Sequence, residues 1–187
     1  MYIKKTALYL VIFLFLCIIV YIASWWWPPA RYADPFYNVN YNHYPYVYLP
    51  LVKPIRADPD DDILTWRVFL RDGIDIWVRI PKQDNSLEFY AYNIKELEKF
   101  AVENGVIIAY SAYVDTEADA YIQDNYYHWF VLIPDKKIAE GFHTEEEFNQ
   151  HIQTLGIQNP DWQTPDEAYK QFTRTGCLEW MPSPDCK

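Results

Sequence analysis

His128 to Ile157 reads HWFVLIPDKKIAEGFHTEEEFNQHIQTLGI. An apolar run ends at Ile133-Pro134, a charged turn follows, and a returning segment carries Phe142. Thr144 then caps a helix whose apolar residues, Phe148 and Ile152, recur at helical spacing, and Gly156 closes it. The plan is strand, turn, strand, helix. It has an earlier parallel in WVRIPKQDNSLEFYAYNIKELEKFAVENGVI, residues 77–107. Aligning Asn93 with Thr144 pairs Glu96 with Glu147, Leu97 with Phe148, Ala101 with Ile152 and Gly105 with Gly156. The two stretches are either a duplicated strand–strand–helix unit or a convergence on features generic to that motif.

Working outward, Tyr46 to Leu49 reads as a short first strand, and VKPIRADPDDD (52–62) as a loop punctuated by Pro54 and Pro59. ILTWRVFL (63–70) alternates at strand period, and Asp72-Gly73 supplies a tight turn back into IDIWVRI (74–80). LEFYAY (87–92) is a third strand. Asn93 with Glu96 predicts a capping box, with Ile94, Leu97, Phe100 and Ala101 as a helical stripe and Asn104-Gly105 as its left-handed cap. VIIAY (106–110) is a buried strand, and in 111–125 Thr116 is placed to cap a short helix through Gln123. A last helix begins at Thr164, with Pro165 at its first position and Glu167 completing a capping box, and stops at Gly176. The expected class is α+β: one mainly antiparallel sheet with about three helices, following a single N-terminal transmembrane helix.

That transmembrane segment is Thr6–Trp27, 22 residues without a charge. At about 1.5 Å per residue it reaches about 33 Å, enough for a hydrocarbon core of about 30 Å. It is longer than the apolar core of a cleaved signal and lacks a small-x-small cleavage site, so it reads as an uncleaved anchor. Lys4 and Lys5 keep the N-terminus cytoplasmic, Trp25 to Trp27 sit at the exit interface, and Pro28-Pro29 end the helix. Residues 1–27 are thus a cytoplasmic stub and anchor, 28–44 an extended tether, and 45–187 an exported domain.

The chain carries a net charge of −10, and since Lys4 and Lys5 are the only charges before Arg31, the exported part carries −12. Such a domain repels phosphate backbones, which disfavours nucleic acid and favours a basic protein partner. Seventeen Tyr and eight Trp supply rings for a β-rich core or for a protein or sugar interface. Cys17 lies in the anchor and reads as a buried thiol. Cys177 and Cys186 form an isolated pair that, in an exported domain, reads as a disulfide.

No nucleophile elbow, zinc-protease helix, P-loop or dinucleotide turn is present, so no catalytic residue and no cofactor is assigned. Asp58, Asp60, Asp61 and Asp62 are hard oxygen donors of a density that can hold Ca²⁺, a lesser reading because a central Gly and a ligating Glu at calcium-loop spacing are lacking. They read as an exposed acidic loop or a docking patch for a basic partner. Asp115, Glu117 and Asp119, with Tyr121 nearby, lie in the one long segment without clear structure and form a second candidate surface. His43, His128, His143 and His151 are scattered along the chain, and no metal set is assigned.

An uncleaved Lys-Lys apolar anchor, an acidic exported domain and a terminal Cys177/Cys186 pair together resemble the small anchored immunity proteins that Gram-negative bacteria pair with contact-delivered toxins, such as type VI secretion effectors. WFVLIPDKKIAEGFHTEEEFNQHIQTLGI is similar to hairpin–helix units of such domains. The resemblance implies a single-pass inner-membrane protein whose periplasmic domain binds and blocks a lipase- or peptidoglycan-hydrolase-type toxin. The competing classes are an envelope carbohydrate-binding or hydrolytic domain, and an accessory subunit of a membrane complex.

Overall fold

The computed structural model describes residues 34–41, 47–60, 65–70, 73–81, 87–91, 93–113, 127–182 and 186, with only the backbone described at 41, 77–81 and 87–91. Among the described residues nine strands lie in three antiparallel sheets. β1 (Leu49–Pro50), β2 (Arg56–Pro59) and β3 (Trp66–Val68) form the first, and β4 (Trp77–Pro81) pairs with β5 (Leu87–Ala91) in the second. The third runs in the order β6 (Leu97–Glu103), β7 (Val106–Ser111), β8 (Trp129–Ile133), β9 (Ile138–Phe142). Two α-helices follow, α1 (Glu145–Thr154) and α2 (Pro165–Thr175).

This corrects the expected architecture in three respects. The sheet is not one but three, the α-helices described number two, and 93–104 is not a helix. Instead, Ile94 bridges Val68, and β6 turns back into β7 through Asn104 and Gly105, both at positive φ (52° and 78°). An Asn-Gly pair with two left-handed residues is the favoured two-residue hairpin turn. Without a helix over 93–104, the stretch 77–107 is not a strand–strand–helix unit, and 128–157 alone keeps that plan, as β8, β9 and α1.

The spacing that mimics a helix has a local cause. The β6–β7 ladder shifts register between Leu97 and Lys99: Leu97 opposes Ser111, while Lys99 opposes Tyr110. The extra residue turns the strand over, so Leu97 and Phe100, three apart, share one face. That face, with Ile107, Ala109, Phe130 and Leu132, joins one core with Leu49, Ala57 and Val68 of the first sheet and Ala168 and Phe172 of α2. The opposite face, with Ala101, Ile108, Trp129 and Val131, packs against Phe148 and Ile152 of α1. The four-stranded sheet is therefore apolar on both sides, which explains the unbroken run of buried residues in β8.

The hairpin expected over 63–80 also resolves differently. β3 pairs with β2, Ala57 opposite Val68, so the proline-bounded stretch read as a loop is the middle strand of its sheet. Pro59 is tolerated because it is the last residue of that strand. Ile74 and Ile76 are buried without belonging to a strand.

Both helix starts follow the sequence. The Thr144 hydroxyl accepts from the Glu147 N–H, and Thr164 with Glu167 makes a complete capping box with Pro165 in the first turn. α2 ends on Gly176 at φ 70°. Among the described residues no helix is long and apolar enough to cross a membrane. The anchor read over 6–27 lies outside the described residues.

Residues 34–41, placed by sequence in an extended tether, form two short 3-10 turns (Pro35–Tyr37 and Val39–Tyr41). Tyr37 and Val39 lie against the first core, and Asn38 is buried. Lys53 bonds Asp34 at 2.8 Å, the Lys53 N–H donates to the Tyr37 hydroxyl, and the Tyr48 hydroxyl donates to the Pro35 carbonyl. The domain thus begins by residue 34.

Candidate functional site

The acidic residues singled out by sequence divide into two groups. Asp58 and Asp60 lie on and just after β2, where each meets an arginine: Arg56 Nε is 2.9 Å from Asp58, and Arg67 Nη1 is 2.9 Å from Asp60. Arg56 and Arg67 also lie over the rings of Tyr48 and Phe69. Two carboxylates and two guanidiniums cancel in charge, so this part of the cluster is two neutral ion pairs, one within β2 and one from β3, rather than an acidic patch. Asp61, Asp62, Asp115, Glu117, Asp119 and Tyr121 lie outside the described residues.

The β7–β8 connection, residues 112–128, is anchored at both legs. On one side the Ser111 hydroxyl, itself buried, donates to the Lys95 carbonyl and accepts from the Tyr113 N–H. Lys95 Nζ reaches the Tyr113 hydroxyl at 3.1 Å and lies over its ring. On the other side the His128 N–H bonds the Phe142 carbonyl of β9. His128 Nδ1 lies 2.9 Å from the Ser111 carbonyl. A carbonyl only accepts, so Nδ1 carries the proton. Tyr127 stacks beside His143 at 4.6 Å and covers Gly141, whose absent side chain leaves the ring its place.

A third constellation was not legible in the sequence. Lys99 Nζ lies 5.3 Å from the ring centre of Tyr110, 5.0 Å from Trp129 and 4.9 Å from Trp162. Tyr110 and Trp129 oppose each other across β7 and β8 with centroids 4.5 Å apart, and Trp129 stacks on Phe148 of α1. Trp162 arrives from the segment between the helices, where Gln163 bridges Phe100 on the outer edge of β6. Lys99, Tyr110 and Trp162 are half-buried, and Trp129 is buried beneath them. The helix expected over 93–104 left Lys99 outside its apolar stripe. The hairpin at 104–105 instead sets Lys99 opposite Tyr110, on the face that carries these rings.

The expected disulfide is present: Cys177 and Cys186 are bonded, with Cα atoms 5.2 Å apart. It closes a tail that buries Leu178 and Met181, stacks Trp180 edge-on to Phe100 and lets Trp180 Nε1 donate to the Pro50 carbonyl. His151 lies 3.4 Å from Glu140 across α1 and β9. Among the described residues no three His, Cys, Asp or Glu side chains stand together as a metal site. Glu145, Glu146 and Glu147 open α1 as three consecutive exposed acids, a group that no sequence motif singles out.

Comparison with protein-family models, curated proteins and solved structures finds no match to this chain.

Proposed function

We propose that this chain is a membrane-anchored, exported binding protein that neutralises a cognate antibacterial toxin, of the kind the anchored immunity proteins represent. The observation that carries the reading is the coexistence of two features in one chain. A Lys-flanked apolar run of spanning length opens it, and a disulfide, Cys177–Cys186, staples its far end. The first sends the domain across a bilayer with the N-terminus in the cytoplasm, and the second belongs to an oxidising compartment such as the bacterial periplasm.

The partner is a basic protein. With Asp58 and Asp60 neutralised by Arg56 and Arg67, the charge available to steer it falls to Asp61, Asp62, Asp115, Glu117 and Asp119, with the exposed Glu145–Glu147 turn added. Tyr121 is proposed as a contact ring beside these charges.

The test is survival. Bacteria producing a periplasm-directed hydrolase encoded beside this chain should live when the full-length chain is co-expressed. They should die when residues 1–27 are removed so that the domain stays in the cytoplasm. Death in both cases, or equal protection by the cytoplasmic form, overturns the proposal.

A further inference from the structure

The chain enters the domain beside one end of the four-stranded sheet. Asp34 caps the first 3-10 turn and pairs with Lys53 at 2.8 Å, and the Lys53 N–H donates to the Tyr37 hydroxyl. That hydroxyl also lies in the field of Asp135, which puts the β8–β9 turn, Pro134–Lys136 closed by Lys137, on the same side. Asp135, Lys136 and Lys137 are exposed, and the Lys137 ammonium lies beside Gly73. Among the described residues no carboxylate stands within ion-pair distance of Lys136 or Lys137. The opposite end of the sheet is acidic. Ile133 opposes Ile138 next to the turn, whereas Trp129 opposes Phe142 at the other end of the hairpin, about 13 Å away at about 3.3 Å per residue. Ser111 and His128, joined by a backbone hydrogen bond, lie at that far end, and the exposed Glu145–Glu147 turn follows Phe142 there.

The length of chain before Asp34 decides what the near end meets. Only residues 28–33 separate Asp34 from Trp27, where the apolar run stops. Even fully extended, that connection keeps Asp34 within about 25 Å of the point where the run leaves the bilayer. We propose that the domain docks on the lipid headgroups of its own membrane through the β8–β9 turn, with Lys136 and Lys137 against lipid phosphates and Lys53 beside them. This orientation rests on the membrane-anchored reading of the chain and adds to it which face looks where. A phosphate layer is the surface that the short connection holds within reach, and lysines lacking a carboxylate are the groups it attracts. The same field repels Glu145–Glu147, so the acidic end is turned outward, toward a soluble basic partner.

The test places the full-length protein in lipid nanodiscs, of phosphatidylcholine or of its mixture with phosphatidylglycerol, doped with a lipid carrying gadolinium on its headgroup. Broadening of backbone amides is read by NMR. The amides of Lys53, Lys136 and Lys137 should broaden more than those of Glu145–Glu147, and the contrast should grow in the anionic discs. At about fivefold per lysine near an anionic surface, the pair Lys136→Gln and Lys137→Gln should weaken docking about 25-fold. The contrast between the two ends should then vanish at an unchanged melting temperature. Protein that washes out of the discs in high salt overturns the anchored reading and the docked orientation with it. Protein retained in the discs, with both ends broadened equally or Glu145–Glu147 broadened more, overturns the orientation alone. A contrast that persists in the double variant overturns docking through the lysines.

Discussion

The indole N–H of Trp66 donates to the carboxylate of Asp166 at 2.8 Å, joining β3 to the first turn of α2 across a hundred residues of chain. Trp66 is buried and also lies against Tyr169, so one side chain fixes α2 to the first sheet at two points. Asp166 additionally sits where the helix dipole favours an anion. Asp166→Ala should cost about 1–2 kcal/mol. Asp166→Asn, which keeps an acceptor, should cost less. Urea midpoints of the two variants distinguish them, and equal midpoints would remove the hydrogen bond from the account.

The disulfide should be a stability element rather than a folding requirement. Replacing Cys177 and Cys186 by Ser frees a short loop and should cost roughly 2–3 kcal/mol in the chain-entropy model. Because the tail seats Trp180 on Phe100, its indole emission should shift to the red in the double variant. An unchanged denaturation midpoint would show that the tail is held by Leu178 and Met181 alone.

Acid should loosen two contacts at the edges of the domain. Hydrogen bonding to Lys53 lowers the pKa of Asp34, and hydrogen bonds from Thr164 lower that of Glu167. A carboxylate depressed in the folded state contributes stability that is present above its ordinary pKa and is lost as pH falls through the depressed value. The melting temperature should therefore fall below about pH 4.5, starting from ordinary carboxylate values. The paired substitution Asp34→Asn and Glu167→Gln should make that fall shallower. Parallel melting curves against pH for wild type and double variant would refute it.

Gly105 tests the hairpin that replaced a helix. Its φ of 78° is strained for any residue with a Cβ, and no atom lies within 4 Å of the Cβ it lacks. Gly105→Ala should then cost about 1–2 kcal/mol from backbone strain alone. Gly141→Ala should fail for the opposite reason. Its backbone angles are ordinary, but the new methyl would overlap the ring of Tyr127 and push it off His143. A cost of about 1–3 kcal/mol is expected, with a change in the Tyr127 ring signals by NMR as the distinguishing mark.

Where the sequence could be read, one local rule dominated. β8 and β9 are joined through Pro134, and α1 is capped by Thr144, so each element of 128–157 is specified by its own residues. The capping box at Thr164 and the stop at Gly176 are equally local. Misreadings arose where one signal has two uses. Asn104-Gly105 ends a helix or turns a hairpin, since both need left-handed backbone, and only pairing with β7 decides. The prolines at 54 and 59 mark a loop in isolation, yet β2 is completed by β3. The Lys99 cage was hidden for a related reason, because its members come from β6, β7, β8 and the segment between the helices. Their meeting depends on strand pairing that no periodicity reveals.

That shift gives β6 two phases. Its leading end is tied to the first sheet, where Ile94 exchanges hydrogen bonds with Val68, while its trailing end is set by the turn at 104–105. Glu98 is the residue without a partner in β7, set between those two phases. Deleting Glu98 would remove a single exposed side chain and leave Leu97, Lys99 and Phe100 consecutive, so that the pairings of Leu97 with Ser111 and of Lys99 with Tyr110 would run on without a shift. Leu97 and Phe100 would then stand two apart on one face, and both cores would keep their side chains. One surface residue thus gives an ordinary strand the three-residue spacing of a helix.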